Sequence, residues 1–133
     1  MNYIKAGRAY QQVNVSSAVE GASPHRLISM LLEGLIRRLA EAKGAIDRTD
    51  TFAKGTSISK AIDIVGELQG SLRDTDSNEV AANLDRLYDY IARTLLQANL
   101  ESSQAKLDEV ARLVIEIKAG WEGIADAGTG SDE

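Results

Sequence analysis

The residue most open to chemistry is His25, the only histidine in a chain of 133 residues. It directly follows Pro24, in a stretch that reads as the start of a helix. A metal site would need a second ligand, and the chain offers no other His, no Cys and no Glu-x-x-His spacing of the di-iron bundles. A catalytic base would need a nucleophile at a recognisable spacing, and none stands out. A phosphorelay histidine would need a mid-helix place beside a basic residue. His25 therefore reads as a solvated helix-start residue, with a phosphoryl carrier as the alternative.

The remaining polar groups point the same way. No cysteine is present, so disulfides, thiolate nucleophiles and Cys-based zinc sites are excluded together. Glu33, Glu41, Asp85 and Asp89 stand on helices near Arg37, Arg38 and Arg86, as on a solvated charged face. Pairs such as Glu33–Arg37 would each add roughly 0.2–0.5 kcal/mol. Gly128 and Gly130 follow no strand, so they form no phosphate loop. Gly66 and Gly70 have the Gly-x-x-x-Gly spacing that permits close helix approach, at roughly 1 kcal/mol each against Ala. No catalytic set, cofactor site or metal site emerges, and the reading is of a protein that is not an enzyme.

The elements that carry these residues are helical. The chain is 44% hydrophobic but only 5% aromatic, with a single proline, so its core is aliphatic. The net charge of -5 and the lack of a Lys/Arg cluster argue against nucleic acid and against an anionic membrane surface. The first dozen residues have no signal-peptide character, and no run approaches the roughly 18 apolar residues of a membrane span. A protein remaining in the cytoplasm is the expectation.

Hydrophobic spacing and caps divide the chain. A short helix fits residues 1–12, followed by a loop. Ser23 and Pro24 then open a helix over 24–48. Further helices fit 52–73, 79–100 and 103–125, and 126–133 forms an acidic, disordered tail. Residues 1–125 thus read as a single all-α domain. Its architecture is an antiparallel four-helix bundle with the short N-terminal helix docked on it.

The core stripes are Ile28, Leu35, Leu39 and Ile46, then Ile58, Ala61, Ile62, Val65, Leu68 and Leu72. Val80, Leu84, Leu87, Tyr88, Ile91, Leu95 and Ala98 follow, then Leu107, Val110, Val114, Ile117 and Trp121. More apolar residues are present than these stripes use. Leu27, Met30 and Ile36 lie beside the first stripe, and Tyr90 and Leu96 fall on opposite sides of the third. Ile64 and Ile115 are displaced likewise. Flank burial between neighbouring helices accounts for such residues singly. Their recurrence on four helices suits a partner that lays amphipathic helices into grooves.

Three blocks carry a family resemblance: AYQQVNV at 9–15, ASPHRLISMLLEGLIRRLAEAKGAI at 22–46, and NLDRLYDYIARTLLQANL at 83–100 with LDEVARLVIEIKAGW at 107–121. In this order and spacing the chain resembles the FliS family, the cytoplasmic chaperones of flagellin export. The resemblance implies a helical bundle whose client is the disordered C-terminal region of flagellin. That client wraps around the chaperone, is kept from premature polymerisation, and is delivered to the flagellar type III export gate. A component of that gate is the second partner implied, and a further flagellar regulatory protein a third. The expected resting state is a monomer or weak homodimer.

Residue by residue, Tyr10 matches the family's N-terminal tyrosine and Ser23–Pro24 its helix start. Met30, Leu31 and Gly34 match the Met-Leu-x-x-Gly block. Leu87, Tyr88, Asp89 and Tyr90 match Leu-Tyr-Asp-Tyr, and Asn99 the Ala-Asn pair. The expected client contacts are Ile4, Tyr10, Met30, Leu31, Gly34, Leu87, Tyr90, Leu96, Asn99 and Ile115. Two departures stand out. Leu32 replaces a tyrosine common in relatives, and Gly120 precedes Trp121 where a better helix former is usual, which is expected to loosen the last turns. The alternatives from other classes are a phosphorelay-type signalling bundle and a structural homo-oligomeric helical subunit.

Overall fold

The computed structural model describes residues 21–124. The short helix expected over 1–12, with Ile4 and Tyr10, and the tail expected over 126–133 lie outside the described residues. Four helices make up the rest: α1 (Pro24–Asp47), α2 (Thr51–Gly70), α3 (Glu79–Glu101) and α4 (Gln104–Gly123).

Each helix starts on a capping side chain that satisfies an N–H left free by the first turn. Ser23 Oγ accepts from the Arg26 N–H at 3.0 Å, and Asp50 Oδ1 from the Ala53 N–H at 3.0 Å. Asn78 Oδ1 accepts from Ala81 at 3.1 Å and Ser103 Oγ from Lys106 at 3.1 Å. The starts thus lie within a residue or so of the sequence expectation. The end of α2 does not: it stops at Gly70 rather than at residue 73. There the Ser71 hydroxyl donates back to the Leu68 carbonyl at 2.6 Å, and the Arg73 guanidinium covers the carbonyls of Gly70, Ser71 and Leu72. These bonds satisfy the last carbonyls without a further helical turn.

The turns are tight. Thr49, Asp74 and Ser102 each adopt positive φ, at 56°, 59° and 51°. This left-handed conformation costs a non-glycine residue of order 1–2 kcal/mol. At Ser102 it lets the chain reverse between α3 and α4 across two residues.

Cross-helix contacts define an antiparallel square. At one end Lys43 Nζ meets Asp108 Oδ1 at 2.9 Å, joining the last turns of α1 to the first of α4. At the other end His25, at the start of α1, meets Trp121, near the end of α4. Gln69 Nε2 donates to Asp85 Oδ1 at 3.0 Å, and Lys54 Nζ to the Asn99 carbonyl at 2.9 Å, so α2 and α3 run in opposite directions. Neighbours around the square are α1–α2, α2–α3, α3–α4 and α4–α1. The core is aliphatic: Leu32, Leu35, Ile58, Val65, Leu68, Ile91, Leu95, Leu107, Val110 and Val114 are essentially inaccessible.

Most core expectations hold, with particular exceptions. Val80 is 69% exposed, because it lies in the first turn of α3, past the level at which α2 ends. Leu32, the departure from a family tyrosine, sits fully buried at the centre of α1. The last helix runs past Gly120 but ends at Gly123, short of the expected residue 125, and Trp121 in its last turn is fastened to α1. Glu33 pairs with Arg26 at 3.3 Å rather than with Arg37, whose guanidinium lies over Gly34.

Candidate binding surface

Side chains on the flank of each stripe line the outer grooves between neighbouring helices. At about 100° per residue, contacts already described fix which flank faces which neighbour.

On α1, Gly34 is buried against α2: a Cβ at this position would lie 3.7 Å from Ile64 Cδ1. Leu27, Met30 and Leu31 share that flank. Leu31 is half-buried and packs on the core, Met30 is half-buried, and Leu27 is 40% exposed. On the opposite flank His25 and Lys43 face α4, and half-buried Ile36 shares it.

On α4, Gln104 and Asp108 face α1, and Ile115 lies on the same side. The pairs Lys43–Asp108 and His25–Trp121 set Ile115 about level with Ile36. Ile115 is 52% exposed.

On α3, the Tyr90 hydroxyl donates to Glu109 Oε2 at 2.5 Å, which turns that flank toward α4. Leu87 shares it, half-buried and packed on the core. The opposite flank faces α2. Asn99 is half-buried there, and its backbone carbonyl accepts from Lys54. Leu96 is 55% exposed and Leu100, one turn on, is 80% exposed. Phe52, at the start of α2, is 83% exposed at the same end of the bundle. Beside it a shallow open depression of about 540 Å³ runs along α2 over Gly55 and Ser59.

The described client-contact candidates therefore do not converge on one patch. Met30, Leu31 and Gly34 belong to the α1–α2 side, Leu96 and Asn99 to α2–α3, Leu87 and Tyr90 to α3–α4, and Ile115 to α4–α1. Sequence reasoning missed Phe52 and Leu100. Leu100 carried a signal, since it repeats Leu96 at i+4. Phe52 carried none, standing alone near a helix start.

Nothing in this arrangement resembles a catalytic centre. Among the described residues no cluster of His, Asp and Glu is placed to hold a metal ion, and no helix is long and apolar enough to cross a membrane. His25 is not the free solvated residue expected. Its ring stacks on Trp121 at 4.5 Å between centroids, with 7° between planes. Lys54 is also committed: it is buried, and its ammonium donates to the Asn99 carbonyl and to Ser102 Oγ at 2.7 Å.

The family model for the flagellar protein FliS matches residues 6–128. The chain belongs to the FliS family. It is 45% identical to the flagellar secretion chaperone FliSB of Pseudomonas aeruginosa, over 94% of this chain and 99% of that one. It is 43% identical to the flagellar secretion chaperone FliS of Salmonella typhimurium, over 89% and 88% of the two chains. With the corresponding chaperone of Bacillus subtilis it shares 32% identity over 86% of this chain. FliS proteins are chaperones and not enzymes, in keeping with a bundle whose histidine is tied up in packing.

Proposed function

We propose that this chain binds the C-terminal region of flagellin in the outer grooves of its bundle, prevents its premature polymerisation in the cytoplasm, and delivers it to the flagellar type III export gate. The observation that carries the reading is the distribution of exposed apolar side chains. Leu27, Tyr90, Leu96 and Ile115, each between 39% and 55% exposed, stand one to each groove around the bundle. A rigid partner or a second copy would need one contiguous patch of roughly 800 Å². A flexible chain that wraps the bundle uses all four sides.

Such a client is disordered when free, and ordering it costs roughly 2–5 kcal/mol or more. Apolar burial at about 25 cal/mol per Å² offsets this once a few hundred Å² are covered. In the same reading the N-terminal segment, with Ile4 and Tyr10, covers part of a groove until the client displaces it. A gate component and a further flagellar regulatory protein would meet the client-loaded form.

The test is a calorimetric titration of the full chain with a flagellin C-terminal peptide, alongside light scattering over a concentration series. A one-to-one complex formed from monomer is the expected result. Concentration-dependent self-association with no peptide binding would overturn the proposal in favour of a homo-oligomeric subunit. Hydrogen exchange with and without peptide addresses the N-terminal segment. Equal protection of residues 3–12 in both states would exclude a moving cap.

A further inference from the structure

Phe52 and Leu100 are the most exposed large apolar side chains among the described residues, at 83% and 80%. At about 100° per residue, Phe52, Gly55 and Ser59 fall within about 60° of one another, on the outer side of α2 that adjoins α3. Leu96 and Leu100 fall within about 40° on the outer side of α3 that adjoins α2. These residues share one face of the bundle. Beside Phe52 lies the shallow depression, bounded at its far end by Lys60 and Asp63. The face thus carries a large apolar knob with a hollow next to it.

The bonds Lys54–Asn99 and Gln69–Asp85 fix the level of α2 against α3. They set the midpoint between Phe52 and Ser59 level with Ala98, which is itself midway between Leu96 and Leu100. Arg48 and Asp63 have the same midpoint as Phe52 and Ser59. A two-fold axis crossing the face at that level, perpendicular to the helices, makes the face its own complement. It seats Phe52 of each copy over Ser59 of the other and sets Leu96 of each against Leu100 of the other. The charges at the hollow are met as well. Asp63 comes to Arg48 of the other copy, and the Lys60 ammonium to the incoming Phe52 ring. Lys60 and Asp63 have no hydrogen bond or ion pair among the described residues, and the Arg48 side chain has only an exposed pair with Asp50 at 3.9 Å.

We propose that two copies of this chain pair through the α2–α3 face, Phe52 of each filling the hollow of the other. The pairing goes beyond the flagellin-binding reading and does not require it. In that reading Leu96 also meets the client, so pairing and client binding are alternatives. The chain's own tail is too short to be the occupant. The nine residues after Ile124 start at the end of the bundle far from Phe52 and extend at most about 30 Å, against roughly 36 Å for the length of α1. The twenty residues before Gly21 are long enough, and their coverage of Phe52 is the competing outcome. Side by side, α2 and α3 are about 20 Å wide, and the levels from Arg48 to Asp63 span roughly 23 Å. The footprint is on the order of 450 Å², about half the roughly 800 Å² per partner of a standard interface. The pair is therefore transient, populated in concentrated solution, and the dilute chain is monomeric.

The experiment is sedimentation velocity on the full chain from about 10 µM to about 1 mM, without client, with thermal unfolding of every variant. The dimer fraction should grow with concentration. Phe52→Ala should keep its unfolding midpoint and pair more than about tenfold more weakly. Asp63→Arg and Arg48→Asp should each weaken pairing about two- to fivefold, and the chain carrying both should regain it. The chain has no cysteine, so Leu96→Cys mixed with Leu100→Cys should form a disulfide-linked pair under mild oxidation faster than either variant alone. Monomer at every concentration overturns the pairing, as does normal pairing of Phe52→Ala or the lack of any preference in the cysteine mixture. A lowered midpoint of Phe52→Ala in a chain that stays monomeric would put the N-terminal segment over Phe52, and also overturns it. None of these results bears on the client reading, since no peptide is present.

Discussion

His25 at the start of α1 and Trp121 near the end of α4 are joined by a reciprocal clasp. Trp121 Nε1 donates to the His25 carbonyl at 3.0 Å, and His25 Nε2 lies 2.8 Å from the Trp121 carbonyl, with the rings stacked between. For His25 Nε2 to donate, it must carry the ring proton. Both carbonyl and indole would otherwise need water at a half-buried site.

His25→Ala removes the stack and one bond and leaves the Trp121 carbonyl to find water. A loss of about 1–3 kcal/mol is expected, combining a hydrogen bond with an aromatic pair. Trp121 is the only tryptophan, so its emission reports the clasp directly. A red shift in His25→Ala at temperatures where circular dichroism is unchanged is the expected result. An unshifted spectrum would mean that the clasp does not shield the indole.

Lys54 fastens the start of α2 to the end of α3 through the Asn99 carbonyl and Ser102 Oγ. Lys54→Ala strands a helix-terminal carbonyl and opens a gap, so a loss of about 2 kcal/mol is expected in urea unfolding. Lys54→Met keeps most of the apolar stem and sheds the cost of burying a charge, and should lose about half as much. Equal losses would mean that the hydrogen bonds, not the packing, dominate.

Burial pushes the Tyr88 hydroxyl up from the usual 10.0 to about 12. A raised folded-state pKa means the folded state holds its proton more tightly than the unfolded state does. The stabilisation is complete below pH 10 and is lost as pH rises from about 10 to 12, where only the unfolded tyrosine ionises. Two units correspond to about 2–3 kcal/mol at 1.36 kcal/mol each. Urea midpoints at pH 9.5 and 12 should fall further for the unaltered chain than for Tyr88→Phe. Parallel declines would show that Tyr88 is not the group responsible.

Flank and core should separate cleanly under truncation. Leu95 is fully buried, and Leu95→Ala should cost about 2–5 kcal/mol. Leu96→Ala and Ile115→Ala remove half-exposed side chains and should cost under about 1 kcal/mol, while weakening binding of a flagellin C-terminal peptide several-fold. Tyr90→Ala belongs with them, since its bond to Glu109 is at the surface. If Leu96→Ala destabilised as much as Leu95→Ala and bound peptide normally, Leu96 would be a core residue.

Much of this was legible in the sequence. Ser23, the pair Ser77–Asn78 and the pair Ser102–Ser103 announce three helix starts because a short side-chain acceptor satisfies a free N–H without tertiary help; the structure selects Asn78 and Ser103. The stripes through Leu35, Ile58, Leu95 and Val110 follow from helical period alone, and with them the bundle. The lack of cysteine and of any second histidine already excluded most site chemistry. What periodicity supplies is an angle on one helix. It does not say which neighbour covers that angle, at what level, or with what side chain. Only the packed bundle decided that His25 stacks on Trp121, that Glu33 turns to Arg26, and that Val80 lies outside the core. Those outcomes depend on the register of helices dozens of residues apart, and register is set by how whole faces interlock rather than by local preference.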